Sequence, residues 1–398
     1  MRPILLFILA VLLPGSAPAQ EVEIRLAPDG ALYAHTTNAR QGYADLVVHT
    51  IAIANTGREP LTLDGLRITV QGGDHAITRT IPAAQAVAQS ADYAGMMEAG
   101  MDVLIAAQTL NPDGLDGLFG QAVRLSPDAM LEAGEAVLTN GYHFSVGFPP
   151  ERAVITAILQ RPDGTVFNLS ETLAVTRYDP PIAYISPVDG TWLMHAIPGI
   201  QSHHRLNLVT EFAVDFFRVD AEGETHDGRD PLDASTWYGY GEPVRAVADG
   251  EVVFVIADQV QDRAAMMRQD GETRQDAGRR IQRYNFMRMR ENFRAAAGGN
   301  LVTLRHEENG RVEYSSYGHL AAGSVTVEAG DFVRQGQVIG RVGDTGDSAA
   351  VHLHFQINEG PDAFMSRSLP AMFTDLEPVE VSLDPGRFVR APVRDWEN

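Results

Sequence analysis

The chain has no cysteine and no lysine among its 398 residues. Without cysteine the fold cannot use disulfide bonds, and no thiolate is available as a nucleophile or as a metal ligand. Any zinc site must therefore be built from His, Asp and Glu side chains, which suits an open catalytic site better than a closed structural one. The absence of lysine also excludes a carrier domain with a lysine-linked lipoyl group.

Positive charge is scarce as well. The formal net charge is −21, which argues against nucleic acid and anionic membranes as partners. The arginines are nevertheless dense in two runs, Arg279-Arg280-Ile281-Gln282-Arg283 and Arg288-Met289-Arg290. Two interpretations stay open for this basic stretch: a solvated face that pairs with the protein's own carboxylates, or a docking surface for a protein partner or an anionic polymer.

Long hydrophobic runs are missing except at the beginning of the chain. Residues 1–19 contain Arg2, an apolar run over residues 4–13, and then Gly15-Ser16-Ala17-Pro18-Ala19. This order is typical of a secretory signal peptide that is cleaved after Ala19. The apolar run is too short for a transmembrane helix, and no later segment approaches the required length. We therefore expect a secreted or periplasmic protein, with a retained N-terminal anchor as the alternative.

The length favours two domains, because a single core rarely supports so many residues. Residues 20–178 contain short strand-like segments at 44–55, 61–71, 136–139, 143–148 and 153–160, which predict an immunoglobulin-like β-sandwich. Residues 82–110 are rich in Ala and Met and are predicted to be helical. The stiff connector Tyr178-Asp179-Pro180-Pro181 marks the expected boundary. The second domain, residues 182–398, is again predicted to be β-rich. Residues 258–297 form a helical insertion, with helices at 259–268 and 279–297.

The most informative motif is His352-Leu353-His354-Phe355, within a run of strand-forming residues. Residues i and i+2 of a strand share a face, so the two imidazoles emerge side by side. Such a pair can combine a zinc ligand with a proton-transfer group. Upstream, Asp215 projects from the apolar segment Ala213-Val214-Asp215-Phe216. A buried Asp is costly unless it is paired or bound to a metal, and a capping or ion-paired Asp is the alternative interpretation.

Several motifs follow one another in a fixed order. They are Tyr317-Gly318-His319-Leu320, Gly330-Asp331-x-Val333-x-x-Gly336-Gln337-x-Ile339-Gly340, Gly343-x-Thr345-Gly346 and His352-Leu353-His354-Phe355. In this order they resemble the LytM/lysostaphin-like family of zinc metallopeptidases, which cut peptide cross-links in bacterial cell walls. The resemblance covers about residues 185–375. It implies a mainly β protein in which an all-β LytM-like domain, a duplicated hybrid motif, follows the β-sandwich.

The resemblance also implies the residues of the site. The family's metal ligands fall on an upstream His, on Asp215 and on His354, and its two non-ligand catalytic histidines fall on His319 and His352. One departure concerns the first ligand, because Glu211 stands four residues before Asp215, where the family has His. The sequence places His203 and His204 further back, and we expect a longer loop to bring His204, rather than His203, to the zinc ion.

Two further points follow from the same comparison of motifs. If neither histidine reaches the site, Glu211 is the substitute ligand, or the site is metal-free and inert. Gln356 stands where many relatives have Glu, and because it is not a ligand in the family's pattern, we expect little consequence.

The sequence thus predicts an exported zinc endopeptidase that hydrolyses peptide bonds of peptidoglycan cross-links. The alternative is a non-catalytic family member that binds and activates a separate cell-wall hydrolase. Such relatives usually lose ligands, whereas this chain retains candidates for all of them.

Overall fold

The structure, a computed structural model, describes residues 21–38, 42–195, 203–379 and 388–392. The predicted signal peptide, residues 1–19, lies outside these ranges. The described chain is mainly β, as predicted from the sequence. Within these ranges no helix combines the length and the apolar character that crossing a bilayer requires.

The N-terminal half consists of strands interrupted by one helical segment. The strands are β1 (Val22–Ala27), β2 (Leu32–Tyr33), β3 (His35–Asn38), β4 (Tyr43–Val48), β5 (Thr50–Asn55), β6 (Leu61–Gly72), β7 (His75–Pro82), β8 (Arg124–Leu125), β9 (Met130–Leu131), β10 (Glu135–Thr139), β11 (Tyr142–Val146), β12 (Arg152–Gln160) and β13 (Val166–Thr176). Three helices lie between β7 and β8: α1 (Ala83–Glu98), α2 (Asp102–Thr109) and α3 (Gly114–Phe119).

These strands form three sheets, with the orders β1-β5-β10-β8, β11-β4-β3 and β2-β13-β12-β6-β7. Apolar side chains of all three sheets share one core, for example Ile53, Leu46 and Ile155. This packing is consistent with the predicted β-sandwich. The predicted strand 44–55 is two strands, because the chain passes from one sheet to another at the buried His49. The apolar run is continuous across that point, so the pattern gave no sign of the break.

The C-terminal half is built around one large sheet. Its strands are β14 (Gly190–His195), β15 (Val214–Arg218), β16 (Pro243–Arg245), β17 (Gly250–Ile256), β18 (Asn300–Glu308), β19 (Arg311–Leu320), β20 (Phe332–Val333), β21 (Val338–Arg341), β22 (Leu353–Asn358), β23 (Ser368–Leu369), β24 (Glu377–Val379) and β25 (Phe388–Ala391). The large sheet has the order β20-β17-β18-β19-β22-β15-β14-β25-β24, with β23 paired to β22. Strands β16 and β21 form a separate pair.

One face of this sheet is apolar and the other is polar at its centre. Phe216, Tyr317 and Phe355 belong to the hydrophobic core of this half. Their neighbours along the strands alternate to the opposite face, as the period of two requires. Asp215 and His354 therefore lie together on the face that is turned away from that core.

The predicted helical insertion lies between β17 and β18 and consists of α4 (Arg263–Met266), α5 (Arg274–Glu291) and α6 (Phe293–Gly298). The long helix begins at Arg274 instead of residue 279, because the Thr273 side chain accepts a hydrogen bond from the Asp276 amide (3.1 Å) and caps the helix. It ends at Glu291, where Asn292 adopts an extended conformation and caps α6. The sequence pattern had predicted a single helix across this break.

Candidate metal centre

The register of three strands brings the predicted site residues together. Asp215 on β15 pairs directly with His354 on β22, and on the other side of β22 His354 pairs with Gly318 of β19. Side chains of directly paired residues on one face are close neighbours. His319, which follows Gly318, leaves the regular strand conformation, and its ring centroid lies 5.8 Å from that of His354.

His204, Asp215 and His354 form a compact cluster. Nδ1 of His354 is 3.1 Å from Oδ1 of Asp215, and Nε2 of His204 is 3.6 Å from Oδ2 of the same carboxylate. One donor atom of each of the three residues lies within 4.8 Å of the other two. The carboxylate and the His204 ring are buried, so this polar group is not simply solvated.

A short turn explains how His204 reaches the cluster from a distance of eleven positions along the chain. Residues His203–Leu206 form a 3-10 turn, after which the Asn207 amide and the Thr210 hydroxyl donate to the His204 carbonyl. The chain is folded back so that Nδ1 of His204 donates to the Ala213 carbonyl at 3.3 Å. This bond leaves Nε2 facing Asp215. The side chain of His203 lies outside the described residues.

Glu211 does not belong to the cluster. Its carboxylate contacts Arg205 Nη1 at 2.7 Å and His49 Nε2 at 3.0 Å, and all three side chains are buried. Burial raises the pKa of Glu211, but His49 and Arg205 outweigh it and hold that pKa below its ordinary value. Glu211 therefore connects the two halves of the molecule through its contacts with His49 and Arg205. It does not take the place of the first histidine beside Asp215.

His319 and His352 lie at the rim of the cluster. Their ring centroids are 4.7 Å apart, and Nε2 of His352 is 3.6 Å from Oδ1 of Asp215. Each Nδ1 is bound to a backbone carbonyl, that of Thr345 for His319 (2.7 Å) and that of Ala350 for His352 (2.9 Å). Both rings therefore hold Nδ1 protonated and keep Nε2 free to face the cluster.

The backbone of His319 is unusual, with a φ of 61°. A residue with a Cβ rarely adopts this left-handed conformation, which costs on the order of 1–2 kcal/mol. It is maintained here by the hydrogen bond to Thr345 and by the end of β19, and it turns the ring towards the other histidines.

Burial controls the charges of the site. Burial, together with the imidazoles of His352 and His354, holds the pKa of His319 well below its ordinary value. Burial likewise lowers the pKa of His352. Burial alone would raise the pKa of Asp215, but its histidine neighbours reverse the effect and lower it. Burial opposes the charged form of His354, yet the Asp215 carboxylate keeps the pKa of that ring above its ordinary value. The site therefore concentrates one negative charge among four imidazoles.

A cavity of about 290 Å³ opens onto this cluster. Its walls come from distant parts of the chain: α2, the loop after His204, the α5–α6 insertion and the central strands. The residues include Leu104, Ala107, Gln108, Asn207, Thr210, Met289, Phe293, Ala297, Ser316, Asp347 and Phe364. A larger cavity of about 740 Å³, between α2 and Arg294, contains none of the predicted site residues.

Two residues that the motif comparison did not assign contact the site directly. Gln356 accepts a hydrogen bond from Nε2 of His354 at 2.8 Å, and the Thr345 carbonyl binds His319. The position of Gln356, two residues after His354 on the same strand face, was a signal for the first contact. The second depends on a loop conformation that no local pattern indicates.

The donor set suits a zinc ion. Two imidazole nitrogens and one carboxylate are the protein ligands of an open site, in which a fourth position remains for water or substrate. The hydrogen bonds from His204 to Ala213 and from His354 to Gln356 fix which nitrogen of each ring faces Asp215. The nitrogens that face Asp215 are thus Nε2 of His204 and Nδ1 of His354, and a metal ion that replaced the proton on His354 Nδ1 would be held by both nitrogens and the carboxylate.

Comparison with known proteins gives one family match. Residues 287–365 match the family described as Peptidase family M23. This range contains His319, His352 and His354, whereas His204 and Asp215 precede it. Lysostaphin of Staphylococcus staphylolyticus is 49% identical over 59 residues, which is 15% of this chain and 12% of that protein. The match with lysostaphin of Staphylococcus simulans is also 49% identical, over 11% of its length.

Solved structures that are similar to this chain include two peptidases. The catalytic domain of lysostaphin from Staphylococcus simulans is 24% identical with a TM-score of 0.23, covering 44% of this chain and 84% of that one. A zinc-containing peptidase from Vibrio cholerae is 13% identical with a TM-score of 0.25, covering 86% of this chain and 85% of that one.

Proposed function

We propose that this chain, whose residues 287–365 match Peptidase family M23, is an exported zinc endopeptidase that hydrolyses peptide bonds in peptidoglycan cross-links. The observation that carries this proposal is the cluster of His204, Asp215 and His354, whose donor atoms lie within 4.8 Å of one another. The location outside the cytoplasm is supported by the signal-like residues 1–19.

In this proposal His204, Asp215 and His354 hold the ion through His204 Nε2, a carboxylate oxygen and His354 Nδ1. A bound zinc ion supplies Lewis acidity, which polarises the substrate carbonyl and lowers the pKa of a water molecule. The ligand set would contribute one negative charge, from Asp215, and two neutral imidazoles. A divalent ion bound there would keep a net positive charge, which strengthens its Lewis acidity.

His319 and His352 supply the proton transfers. Because burial lowers the pKa of both rings, they are neutral near pH 7 and each presents an unprotonated Nε2. One of the rings takes the proton of the attacking water at Nε2 and returns it to the leaving amine. A ring that has become protonated is also a donor to the oxyanion of the tetrahedral intermediate, a contribution typically of about 3 kcal/mol.

The experiment that tests the proposal compares zinc content with hydrolysis of purified cell walls. We expect wild-type protein to bind one zinc ion and to release soluble peptides. His354→Ala loses both zinc and activity. His352→Ala keeps zinc, because it is not a ligand, but loses turnover by roughly 100-fold or more.

His226→Ala is the matched control, since His226 lies in the same half of the chain but contacts Trp237 and not the cluster. It is expected to retain both zinc and activity. Equal wall digestion by wild type and His354→Ala would contradict the enzymatic proposal. Stoichiometric zinc without any hydrolysis would instead support the non-catalytic regulator of a separate hydrolase.

A further inference from the structure

Gln356 lies beside the cluster of His204, Asp215 and His354, on the same face of β22 as His354. Its side chain is buried. Its Oε1 is 2.8 Å from Nε2 of His354, and its Nε2 is 2.8 Å from Oδ1 of Asn358, 3.0 Å from the Ala363 carbonyl and 3.1 Å from the Val209 carbonyl. Every neighbour of the amide nitrogen is thus an acceptor.

This environment fixes the orientation of the amide. If the amide were reversed, its oxygen would face three acceptor oxygens and its NH2 group would face the histidine ring. The orientation found leaves Oε1 as the acceptor towards His354. The histidine must then carry a proton on Nε2, so that Nδ1 is the nitrogen that faces Asp215 and that a metal ion would bind.

The amide nitrogen reaches a second part of the site. Val209 belongs to the loop between His204 and Asp215, which is longer than the family spacing. Asn358 also donates to the Val209 carbonyl, at 3.3 Å, and the Ser368 amide donates to the Leu208 carbonyl at 3.2 Å. Of Gln356, Asn358 and Ser368, Gln356 is the residue that contacts both this loop and His354.

We propose that Gln356 is a positioning residue that serves two ligands: it fixes the tautomer of His354 and anchors the loop that presents His204. The inference rests on the metal site of the proposed function, but it does not depend on hydrolysis. The two departures from the family pattern, the longer loop and Gln in place of Glu, are therefore in direct contact. A carboxylate here retains an acceptor for His354 but offers no donor to the Val209 carbonyl.

Two variants separate these roles. Gln356→Met has a similar size but neither donor nor acceptor, and Gln356→Glu retains only the acceptor. The measurements are the zinc dissociation constant, by competition with a chelator, and the imidazole nitrogen resonances of protein labelled with ¹⁵N-histidine. Circular dichroism verifies folding. Ser315→Ala is the control for loss of a buried hydrogen bond, because Ser315 on β19 contacts His306 and Tyr317 instead of the cluster.

We expect Gln356→Met to weaken zinc binding by roughly 10- to 100-fold and to give resonances of mixed tautomers for His354. Gln356→Glu retains the single tautomer but still weakens zinc binding, by at least 5-fold. Ser315→Ala keeps the wild-type zinc affinity.

Wild-type zinc affinity in Gln356→Met would overturn the proposal, and wild-type affinity in Gln356→Glu would overturn the loop-anchoring role. The absence of zinc binding in wild-type protein would be a failure of the proposed function itself. Normal zinc binding without hydrolysis would leave the inference about Gln356 standing.

Discussion

At the scale of single residues, the site depends on backbone conformations that only a few residue types adopt. Gly346 has a φ of 88°, and a Cβ at this position would lie 2.4 Å from the amide nitrogen of Gly299. The neighbouring Thr345 provides the carbonyl that orients His319. The glycine thus permits the close crossing of two loops on which the orientation of the His319 ring depends.

We therefore predict that Gly346→Ala lowers the free energy of unfolding by about 3 kcal/mol or more, since strain at positive φ and a backbone collision add together. Turnover falls while zinc content is retained, because the three ligands are elsewhere. Gly330→Ala is the matched control: its φ is 97°, but no atom lies within 4 Å of the added Cβ. Equal losses of stability in the two variants, measured by urea denaturation, would show that the crossing is not the cause.

A second residue-scale prediction concerns His35. Burial, with a smaller contribution from Arg205, lowers the pKa of His35 from 6.5 to about 4. Between these values the unfolded chain binds a proton that the folded protein does not bind, so the free energy of unfolding falls as the pH decreases from 6.5 towards 4. Denaturation at pH 7 and pH 5 measures this loss. His35→Gln, which does not titrate, is expected to lose less stability than wild type over the same interval, and an equal loss would contradict the assignment.

At the scale of elements, the helical insertion contacts the loop whose backbone carbonyls bind His319 and His352. Arg263 of α4 forms a buried ion pair of 2.6 Å with Asp344, and Asn285 of α5 donates to Asp347 at 2.5 Å. Gln261, just before α4, donates to the carbonyls of Gly346 and Ser348. The insertion is thus tied to the residues on either side of Thr345.

We predict that Arg263→Ala destabilises the protein by about 3–5 kcal/mol, because it leaves the Asp344 carboxylate buried without a partner. The double variant Arg263→Ala/Asp344→Ala is expected to be more stable than the single variant, since no uncompensated charge remains. Thermal unfolding of both proteins measures the difference. A double variant that is less stable than the single one would contradict this account.

The elements also show what the sequence can and cannot predict. The strands of the C-terminal half, the basic insertion and the pairing of His354 with a buried Asp follow from local pattern and from ordered motifs. The division of residues 44–55 into two strands at His49 does not, because an apolar run carries no sign of which sheet it joins. The basic insertion was open to two interpretations, and Arg279 and Arg280 pair with Asp276 and Glu272. That pairing favours the interpretation of a solvated face whose arginines pair with the protein's own carboxylates.

The candidate site was predictable in part for the same reason. Asp215, His319, His352 and His354 lie in motifs whose spacing is set by adjacent strands. His204 depends on a loop whose path is set by contacts with Gln356, Asn358 and Ser368, which are more than a hundred residues away. Such contacts have no local signature, so the sequence favoured His204 over His203 without showing the path of the loop.

At the scale of the whole molecule, a buried ionic group joins the two halves. His49 belongs to the N-terminal half, and Arg205 and Glu211 belong to the C-terminal half. Gln108 of α2 also donates a hydrogen bond of 2.7 Å to Asn207, which lies in the loop that follows His204. Separation of the two halves would break the contact between His49 and Glu211 and the hydrogen bond between Gln108 and Asn207.

We predict that the two halves unfold together. All three tryptophans follow residue 182, and Trp192 and Trp237 lie in the described part of the C-terminal half. Tryptophan fluorescence therefore reports on that half, whereas circular dichroism reports on both halves. The two melting curves of wild-type protein are expected to coincide. Two separate midpoints would contradict this coupling.

The ionic group itself gives a further prediction. Glu211→Ala leaves the Arg205 guanidinium buried without a counter-charge, which costs about 3–5 kcal/mol and lowers Tm by roughly 10 °C. Glu307→Ala is the control, because Glu307 pairs with Arg305 at the surface and such a pair contributes little. A similar Tm for the two variants would contradict a structural role of Glu211.

The separation of Asp215 and His354 along the chain, 139 residues, has a consequence for a protein without cysteine. A metal ion bound by both residues would act as a reversible cross-link that closes this long loop. Where it stays bound, it would lower the conformational entropy of the denatured chain, as a disulfide bond does. Unlike a disulfide bond, such a metal cross-link is not broken by reductants but is broken by chelators or acid. For the exported enzyme that we propose, the lifetime of the folded protein would then depend on the local supply of metal instead of the local redox potential.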